Sequence, residues 1–371
     1  MLVLNNEEVA QALSMESCLQ VLDDAARAMA SDDAVARPAT SVVMPKQQLS
    51  EWPGAYKLES REGIARTKKM AACRLMSDNF GYRKLSDGSV RKFKIPAAPG
   101  ERYVGLILLF DTDTSRLVAM FPDAEIQRRR VAATGALSTQ YIARQDAHRM
   151  ALVGSSWQAE MALLAHSLAR NISEVRVFSP NREHRESFCA RMRPRVSCSI
   201  QPVETLAEAM KGSDLVVGAT SGPGATVLGE FLEPGMHVTL VRYFELDRRG
   251  WERCSVIIDG ERPQNDDPMF WGKQVYDFRW VMGGRDKAQG TDFDVTGGDF
   301  HTTRARHAPL PDIVAGHQPG RQSDDEITCF YISVPSGAQL AFLGAHLVEE
   351  ARRHGYGREL PDEWFSETEP D

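Results

Sequence analysis

The stretch Met150-Ala-Leu-Val-Gly154-Ser155-Ser156-Trp157-Gln158-Ala159-Glu160 decides the fold of this chain. A short apolar run enters a turn of small residues, and an apolar-periodic segment follows as far as Leu168. A second apolar run, Val175–Phe178, closes a unit of about thirty residues, the size of one βαβ unit of a dinucleotide-binding domain. The turn is expected to hold a pyrophosphate, because a helix N-terminus offers unpaired N–H groups and a partial positive charge.

The glycine pattern of this turn is incomplete. In the usual G-x-G-x-x-G/A pattern, Gly154 fills the first place and Ala159 the last, but Ser156 stands in the middle. By itself the stretch fits a cofactor loop and an ordinary strand-to-helix turn equally well. Three more apolar strands follow, at Leu215–Thr220, Gly235–Val241 and Ser255–Asp259. Because they alternate with helical segments such as Val203–Lys211, we predict a doubly wound parallel sheet.

Length and composition bound the class of protein. At 371 residues the chain exceeds one ordinary domain, so two are expected. A net charge of −7 gives no global attraction for nucleic acid, and no stretch is apolar for long enough to span a membrane. The start of the chain lacks the basic segment of a secretion signal, and the six cysteines show no C-x-x-C spacing. We therefore expect a cytoplasmic protein with reduced thiols and neither a membrane nor a nucleic-acid partner.

The segments outside the nucleotide unit predict a different architecture. Residues 5–30 read as a pair of amphipathic helices, and another helix runs from Ser336 to about His354. The strands Tyr103–Asp111 and Leu117–Phe121 follow one another without an intervening helix. This pattern is typical of a separate, smaller α+β domain whose sheet is largely antiparallel.

A helix predicted over Asp123–Ala143 carries a candidate anion ligand. Arg128, Arg129 and Arg130 lie near its start, and Arg130 begins a face of Ala and Gly residues. An arginine near a helix N-terminus suits a carboxylate ligand, because its planar fork binds both oxygens. A capping or interdomain arginine is the alternative interpretation.

Residues 260–308 lose all periodicity and are rich in aromatic, Asp and His residues. No pair has the spacing of metal ligands, so we predict a long structured excursion and no metal site. Its aromatic residues are expected to help shape the substrate pocket.

Together, four segments resemble the ornithine cyclodeaminase/μ-crystallin family. They are Arg130–Ser138, the Gly154–Ala159 loop, Leu232–Val238 and Gly320–Thr328. The resemblance implies a homodimer, with residues 1–125 and 318–371 forming a substrate-binding and dimerisation domain around a Rossmann domain at 126–317. It also implies binding of NAD(H) or NADP(H) and the interconversion of amino acids and imines. On this resemblance Arg130 holds the substrate carboxylate, and Arg37 is a second carboxylate ligand.

Two departures from the family bear on the chemistry. The family's active-site lysine falls at Arg74, and a guanidinium is a poor proton donor because its pKa stays above about 12. Lys68, Lys69 or Asp78 would then have to transfer the proton. The family's loop aspartate has no secure counterpart, and Glu245 is the nearby carboxylate that could replace it. The predicted catalytic set is Arg130, Arg74, Lys69 and Asp78.

These features predict an NAD(P)H-dependent imine reductase or amino-acid dehydrogenase acting on a small carboxylate-bearing amino or imino acid. Reducing an imine needs a hydride, a carboxylate clamp and one acid, whereas cyclodeamination needs several timed proton transfers. The alternatives are a cyclodeaminase that recycles bound NAD, and a crystallin-like accessory protein that binds the cofactor without turnover.

The predicted cofactor ligands favour NADP(H) over NAD(H). They are Gly154, Ser155, Ser156, Trp157, Gln158, Ser179, Asn181, Arg182 and Thr220. NAD-specific domains commonly place an acid after the second strand, where it binds the ribose 2′-OH. Here Ser179, Asn181 and Arg182 follow Val175–Phe178 instead, and they could accommodate a 2′-phosphate. The alternative is that these residues only turn the chain and cap the next helix.

Overall fold

The structure is a computed structural model, which describes residues 1–37, 39–46, 54–84, 90–100, 103–222, 224–259, 280–282, 305–332 and 336–367. Most of the predicted excursion at 260–308 therefore lies outside the described residues. None of the helices in the described ranges is both long and apolar enough to cross a membrane.

Strands and α-helices are numbered separately in chain order. The strands are β1 Leu2–Val3, β2 Ala34–Ala36, β3 Thr40–Lys46, β4 Gly54–Ala65, β5 Met70–Lys84, β6 Val90–Ile95, β7 Val104–Asp111, β8 Leu117–Pro122, β9 Arg149–Val153, β10 Glu174–Phe178, β11 Ser199–Pro202, β12 Leu215–Gly218, β13 His237–Leu240, β14 Val256–Asp259, β15 Trp280–Met282, β16 Arg306–Pro309, β17 Thr328–Tyr331 and β18 Arg358–Glu359. The helices are α1 Asn6–Ala12, α2 Met15–Ala30, α3 Ala124–Ile142, α4 Trp157–Ala169, α5 Arg182–Met192, α6 Leu206–Met210, α7 Arg248–Arg253, α8 Leu310–Val314 and α9 Ser336–His354.

The first sheet is mixed and has ten described strands. Its main order is β15-β3-β4-β5-β7-β8-β1-β18, with β2 paired to β4 and β6 to β5. The long strands β3, β4, β5, β7 and β8 pair with one another in antiparallel fashion, as predicted for a meander without intervening helices. One face of this sheet packs on α9, so tightly that a Cβ on Gly63 would lie 2.2 Å from the Ala338 nitrogen.

The second sheet is parallel throughout its eight described strands, in the order β11-β10-β9-β12-β13-β17-β14-β16. The chain runs outward from β9 to β11 on one side and from β12 to β13 on the other. The switch point therefore lies between β9 and β12, where parallel sheets of this kind bind their ligands at the carboxyl ends of the strands. The predicted fold class, a Rossmann-type parallel sheet with a smaller α+β unit, is confirmed.

One predicted boundary needs correction. The C-terminal return to the first unit was placed at residue 318, but β17 (Thr328–Tyr331) lies between β13 and β14 in the second sheet. Three of its residues, Thr328–Phe330, are buried, which is what a parallel strand covered on both faces requires. By sheet membership the return falls after Tyr331, where the chain goes on to α9 and the first sheet.

Candidate active site

The turn after β9 has the geometry of a cofactor loop. Gly154 has φ +121°, a conformation that L side chains rarely adopt, and its N–H donates to the Phe178 carbonyl at 2.9 Å. A Cβ at this position would lie 2.3 Å from the Ala219 carbonyl oxygen. Only glycine allows the loops after β9 and β12 to approach so closely. The turn therefore lies at the switch point of the sheet, where a dinucleotide fits.

The start of α4 leaves its backbone donors available to a ligand. Ser156 is the N-cap residue, but its side chain does not cap the helix and instead reaches the Ala219 carbonyl at 3.5 Å. Trp157 is 57% exposed, with the Arg128 guanidinium 6.0 Å from its ring centre. Gln158 donates from Nε2 to the Arg128 carbonyl at 3.2 Å, which ties the cofactor loop to the first turns of α3.

The loop after β12 is held by a buried carboxylate. Glu245 is fully buried and accepts from the Thr220 N–H at 2.9 Å, from the Thr220 hydroxyl at 2.7 Å and from the Arg242 N–H at 2.9 Å. The Arg242 guanidinium in turn donates to the Thr220 carbonyl at 2.6 Å. Glu245 therefore shapes the loop next to Gly154, and both of its oxygens are engaged. It is a positioning residue in this structure, not a free replacement for the family's loop aspartate.

The end of β10 shows the capping arrangement that was the alternative to a phosphate site. Asn181 accepts the His184 N–H at 2.9 Å and caps α5. Arg182 is exposed and pairs with Glu186 at 2.8 Å. Ser179 is buried, and its carbonyl accepts from Arg185 at 3.0 Å. No carboxylate occupies the position after Phe178 that usually selects NAD.

Arg130 lies on α3 as a buried cation held by amides. It is 3% exposed; its Nε donates to the Gln127 side chain at 3.1 Å and its Nη1 to the Gln339 side chain at 2.9 Å. Burial, together with the neighbouring cations Arg74 and Arg61, lowers the pKa of Arg130 to about 9, so it is still charged at neutral pH. Among the described residues no carboxylate pairs with it. A buried guanidinium without a counter-ion is a site for an anionic ligand.

The face of the first sheet that packs on α9 brings further cations toward Arg130. Arg74 on β5 donates to Asp123 from Nε at 2.8 Å and forms an ion pair from Nη2 at 2.6 Å. On β4, directly opposite Arg74, Arg61 contacts Glu59 at 3.0 Å. Asp123 lies just before α3 but makes no capping bond, since it is bound to Arg74.

Glu59 joins Arg61 to a second cation of β4. The Lys57 amine lies 2.7 Å from Glu59, so both cations contact the same carboxylate. Burial disfavours the charge on Glu59, but Lys57 and Arg61 outweigh it and lower the pKa of Glu59 to about 2. These three residues were not predicted from the sequence. Their signal is the alternation of charges at every second position, which places them on one face of a strand.

Two predicted site residues, Lys69 and Arg37, do not lie near Arg130. Lys69 is in the exposed turn before β5, with φ +54°, and its amine contacts Asp113 at 2.5 Å. Arg37 pairs with Glu62, which alternates with Arg61 along β4 and so points to the opposite face of the sheet. The structure therefore does not bring either residue to Arg130, because strand alternation and the turn direct them away.

Asp78, the other predicted site residue on β5, does lie on the same face as Arg74. It is 5% exposed, pairs with Lys94 at 2.9 Å and stands opposite Lys57 in the register of β4 and β5. Lys68 extends instead toward the Phe342 ring of α9, with its amine 5.8 Å from the ring centre.

Two of the sequence motifs turn out to have structural roles. His237 is buried between Ser138 at 3.0 Å and Thr328 at 2.8 Å. Arg321 donates to the Ile142 carbonyl at the end of α3 at 2.9 Å and to the Thr328 hydroxyl at 3.1 Å. These bonds fix α3, and therefore Arg130, against the parallel sheet. Within the described ranges, no group of three or more His, Cys, Asp and Glu side chains could hold a metal ion.

Comparisons with known proteins show which protein family this chain resembles. Residues 94–255 match the model of the ornithine cyclodeaminase/mu-crystallin family. A Delta(1)-pyrroline-2-carboxylate reductase from Bacillus cereus is 22% identical over 262 residues, covering 69% of this chain and 74% of that protein. The solved structure of the Thermococcus litoralis Delta(1)-pyrroline-2-carboxylate reductase in complex with NADH and L-proline superposes with a TM-score of 0.72 at 20% identity, covering 97% of this chain and 100% of the other. The likeness to that structure shows the fold.

A Schizosaccharomyces pombe protein is 29% identical over 160 residues, which is 41% of this chain and 48% of that protein. The chain thus matches about half the length of this relative. The family model and these relatives agree with the motifs around Arg130 and Gly154 and with the two-sheet fold. Residues 94–255 of this chain are thus similar to the ornithine cyclodeaminase/mu-crystallin family.

Proposed function

We propose that this protein is an NAD(P)H-dependent reductase of small imino acids, or works in reverse as an amino-acid dehydrogenase. The observation that carries the proposal is the buried Arg130 guanidinium, which has amide partners but no acid partner among the described residues. Arg130 is two residues from Arg128, whose carbonyl binds Gln158 of the cofactor loop, so a bound carboxylate and a bound dinucleotide would lie side by side. Relatives named as a Delta(1)-pyrroline-2-carboxylate reductase and a ketimine reductase support the same chemistry.

The chain's residues suggest how the reaction is supported. Gly154 and the α4 N-terminus would hold the pyrophosphate, and Arg130 would hold the substrate carboxylate with the α-carbon beside it. Bound NAD(P)H supplies a hydride to the imine carbon and is oxidised to NAD(P)⁺. An iminium substrate already carries its proton on nitrogen, so the hydride step needs no acid from the protein. This explains how Arg74 can stand at the family's lysine position.

The cyclodeaminase alternative has less support from these residues. Arg74 is bound to Asp123, and Glu245 is committed to Thr220 and Arg242. Neither side chain is placed to move protons on and off a substrate, which ring closure with ammonia loss requires.

The test is oxidation of NADPH or NADH by the purified protein, with a panel of cyclic imino acids and of 2-oxo acids in ammonium buffer. A reductase consumes the nucleotide in proportion to the amine formed. Release of ammonia from ornithine or lysine, with catalytic NAD⁺ and no net nucleotide consumption, would instead identify a cyclodeaminase. Tight dinucleotide binding without either reaction would support the accessory-protein alternative.

We propose that NADP(H) is preferred over NAD(H). The proposal is supported by the lack of an acid after Phe178 and by Arg182, whose exposed pair with Glu186 is weak enough to exchange for a phosphate. Dissociation constants for NADPH and NADH measure the preference, and a tenfold ratio corresponds to about 1.4 kcal/mol. Arg182→Ala should reduce the ratio, with Arg191→Ala on the same helix as the control. Equal affinities in the wild type, or tighter NADH binding, would contradict the assignment.

We also propose that the protein is a homodimer that acts in the cytoplasm. Support for the dimer comes from the apolar outer face of the first sheet, formed by Val42, Met44, Leu58, Leu75, Leu106, Leu108 and Met120. A related archaeal alanine dehydrogenase is a dimer. All six cysteines are free thiols, which fits a reducing compartment.

In this proposal the two sheets are also the two domains. The first would bind substrate and the partner copy, and the second would bind the cofactor. Among the described residues of the predicted excursion, Trp280–Met282 extend the first sheet by pairing with β3, which supports a place for that part of the segment on the substrate side, whereas residues 306–308 belong to β16 of the second sheet.

A further inference from the structure

We propose that the site takes a substrate with two carboxylates. One carboxylate would bind Arg130, and the other would bind between Lys57 and Arg61 of β4. This inference rests on the proposed function, because it names the substrate class of the same site. The supporting observation is the balance of charges on the sheet face near Arg130. We call the charged side chains of this face the inner charged strip.

The inner charged strip consists of side chains that share one face of β4, β5 and β6, together with two residues at the start of α3. Its members are the cations Lys57, Arg61, Arg74, Lys94 and Arg130 and the carboxylates Glu59, Asp78 and Asp123. Five cations against three carboxylates leave a net charge of +2 among these described residues.

The pairing of these groups shows where the surplus lies. Asp123 neutralises Arg74 at 2.6 Å, and Asp78 neutralises Lys94 at 2.9 Å. Glu59 is shared between Lys57 and Arg61, so one of those two charges is not compensated. Arg130 is the other surplus cation. The nearby acid of α3, Glu125, is already shared by Arg128 and Arg129.

Burial makes this surplus costly in the absence of ligand. The side chains of Lys57 and Glu59 are 12% and 8% exposed, so water screens them poorly. Two uncompensated cations that are partly removed from water repel each other and raise the free energy of the empty site. A dianion would remove both penalties at once, whereas a monocarboxylate would neutralise only one.

The geometry provides two separate anchoring points. Lys57 and Arg61 are four positions apart on β4, which corresponds to about 13 Å along a strand, yet their charged ends meet at the single carboxylate of Glu59. Glu59 therefore holds them as a pair whose remaining donors are available to an anion. Arg130 comes from α3, where Gln127 and Gln339 fix its orientation, and it lies near enough to Arg61 for that charge to help lower its pKa.

The experiment compares matched acids. Oxaloacetate and 2-oxoglutarate are tested against pyruvate and 2-oxobutyrate, each with ammonium and NADPH or NADH. We expect kcat/KM for the dicarboxylates to be at least tenfold higher. In parallel, the melting temperature of the protein is measured with succinate or glutarate and with propionate or butyrate at equal ionic strength, with and without NADP⁺. We expect the dianions to raise it more than the monoanions.

Lys57→Gln should lower the ratio of dicarboxylate to monocarboxylate kcat/KM by about tenfold or more, an effect that Lys211→Gln on the surface should not produce. If Lys57→Gln does not fold, the kcat/KM values and melting temperatures of the wild type with the matched acids decide. Turnover of monocarboxylates as good as that of dicarboxylates would overturn the inference and leave the proposed function standing. Conversely, stabilisation by succinate without turnover of any imine would support the dianion site and contradict the reductase.

Discussion

Arg130 and Gly154 show what single residues reveal in a sequence. Both were predicted from nearby sequence. Gly154 meets a steric demand, because it has φ +121° and lies against the Ala219 carbonyl. Arg130 meets a chemical demand, because it is an arginine near the start of a helix. Arg61 and Lys57 were not predicted, because charged side chains on a strand usually face solvent and nothing local shows that this face is covered. Only the packing of α9 on β4 and β5 decides that.

The first prediction concerns Arg130→Met, which keeps an unbranched side chain and removes the charge. We expect kcat/KM to fall by at least about a hundredfold, because truncating one partner of a buried charge pair costs on the order of 2–5 kcal/mol. NADPH affinity should stay nearly unchanged. In the ligand-free protein the Arg130 charge is buried without a carboxylate, so its removal costs little stability. The melting temperature should therefore fall only by the effect of the lost hydrogen bonds to Gln127 and Gln339.

Arg129→Met provides the matched control. Its guanidinium pairs with Glu125 and reaches the Ala10 carbonyl of α1, away from the substrate site. This variant should lose some stability and keep its activity. Near-normal kcat/KM in Arg130→Met, together with a large loss in Arg129→Met, would place the carboxylate clamp elsewhere.

At the scale of the element, α3 links the two sheets. Its start carries Arg130, and its second half uses Ser138 and Thr139 to bind two buried histidines, His237 and His166. Ser138 donates its proton to the Gly135 carbonyl at 2.7 Å, so its oxygen can only accept from His237. Nε2 of His237 therefore carries a hydrogen, and in the neutral ring, which burial favours, Nδ1 accepts from the Thr328 hydroxyl.

This arrangement predicts acid sensitivity. Burial lowers the pKa of His166 to about 3, and burial with the nearby charge of Arg321 lowers the pKa of His237 well below its ordinary value of 6.5. Below pH 6.5 the unfolded chain therefore binds protons that the folded chain does not. The stabilisation is fully present above that pH and falls by up to about 1.4 kcal/mol per histidine for each further pH unit.

The free energy of unfolding is measured with urea between about pH 7.5 and about pH 5. This interval lies above the pKa values at which carboxylic acids ordinarily titrate. His166→Gln should make the dependence of the free energy of unfolding on pH shallower. Replacement of the exposed His184 by Gln should leave the slope unchanged. A free energy that stays constant across this range in the wild type would mean that the buried rings bind protons in the folded protein as readily as in the unfolded chain.

At the scale of the whole molecule, local and distant pairings were not equally predictable. The βαβ unit and the extent of α9 follow from nearby residues, and the structure has them where the sequence predicted. The pairing of β1 with β8 and β18, and the insertion of β17 between β13 and β14, join residues far apart in sequence. Short apolar runs do not show which sheet they enter, which is why the boundary at 318 was wrong.

The last prediction concerns the outer face of the first sheet. In the register Val42 faces Leu58 across β3 and β4, and both are more than 40% exposed, while Ile107 and Leu109 on the inner face are fully buried. An exposed apolar sheet face favours burial against a partner, and in the proposed homodimer a second copy of the chain would cover it by twofold symmetry. Leu58→Lys would place two charges in that interface, and burying an unpaired ammonium costs several kcal/mol.

Sedimentation or light scattering at micromolar concentration measures the outcome. The wild type should be a dimer, Leu58→Lys should shift strongly to monomer, and Leu168→Lys, which changes a comparably exposed leucine on α4, should remain a dimer. A monomeric wild type, or a dimer that Leu168→Lys breaks and Leu58→Lys does not, would assign the contact to another surface. Because the same strands carry the inner charged strip on their other face, loss of the dimer should also weaken substrate binding more than cofactor binding.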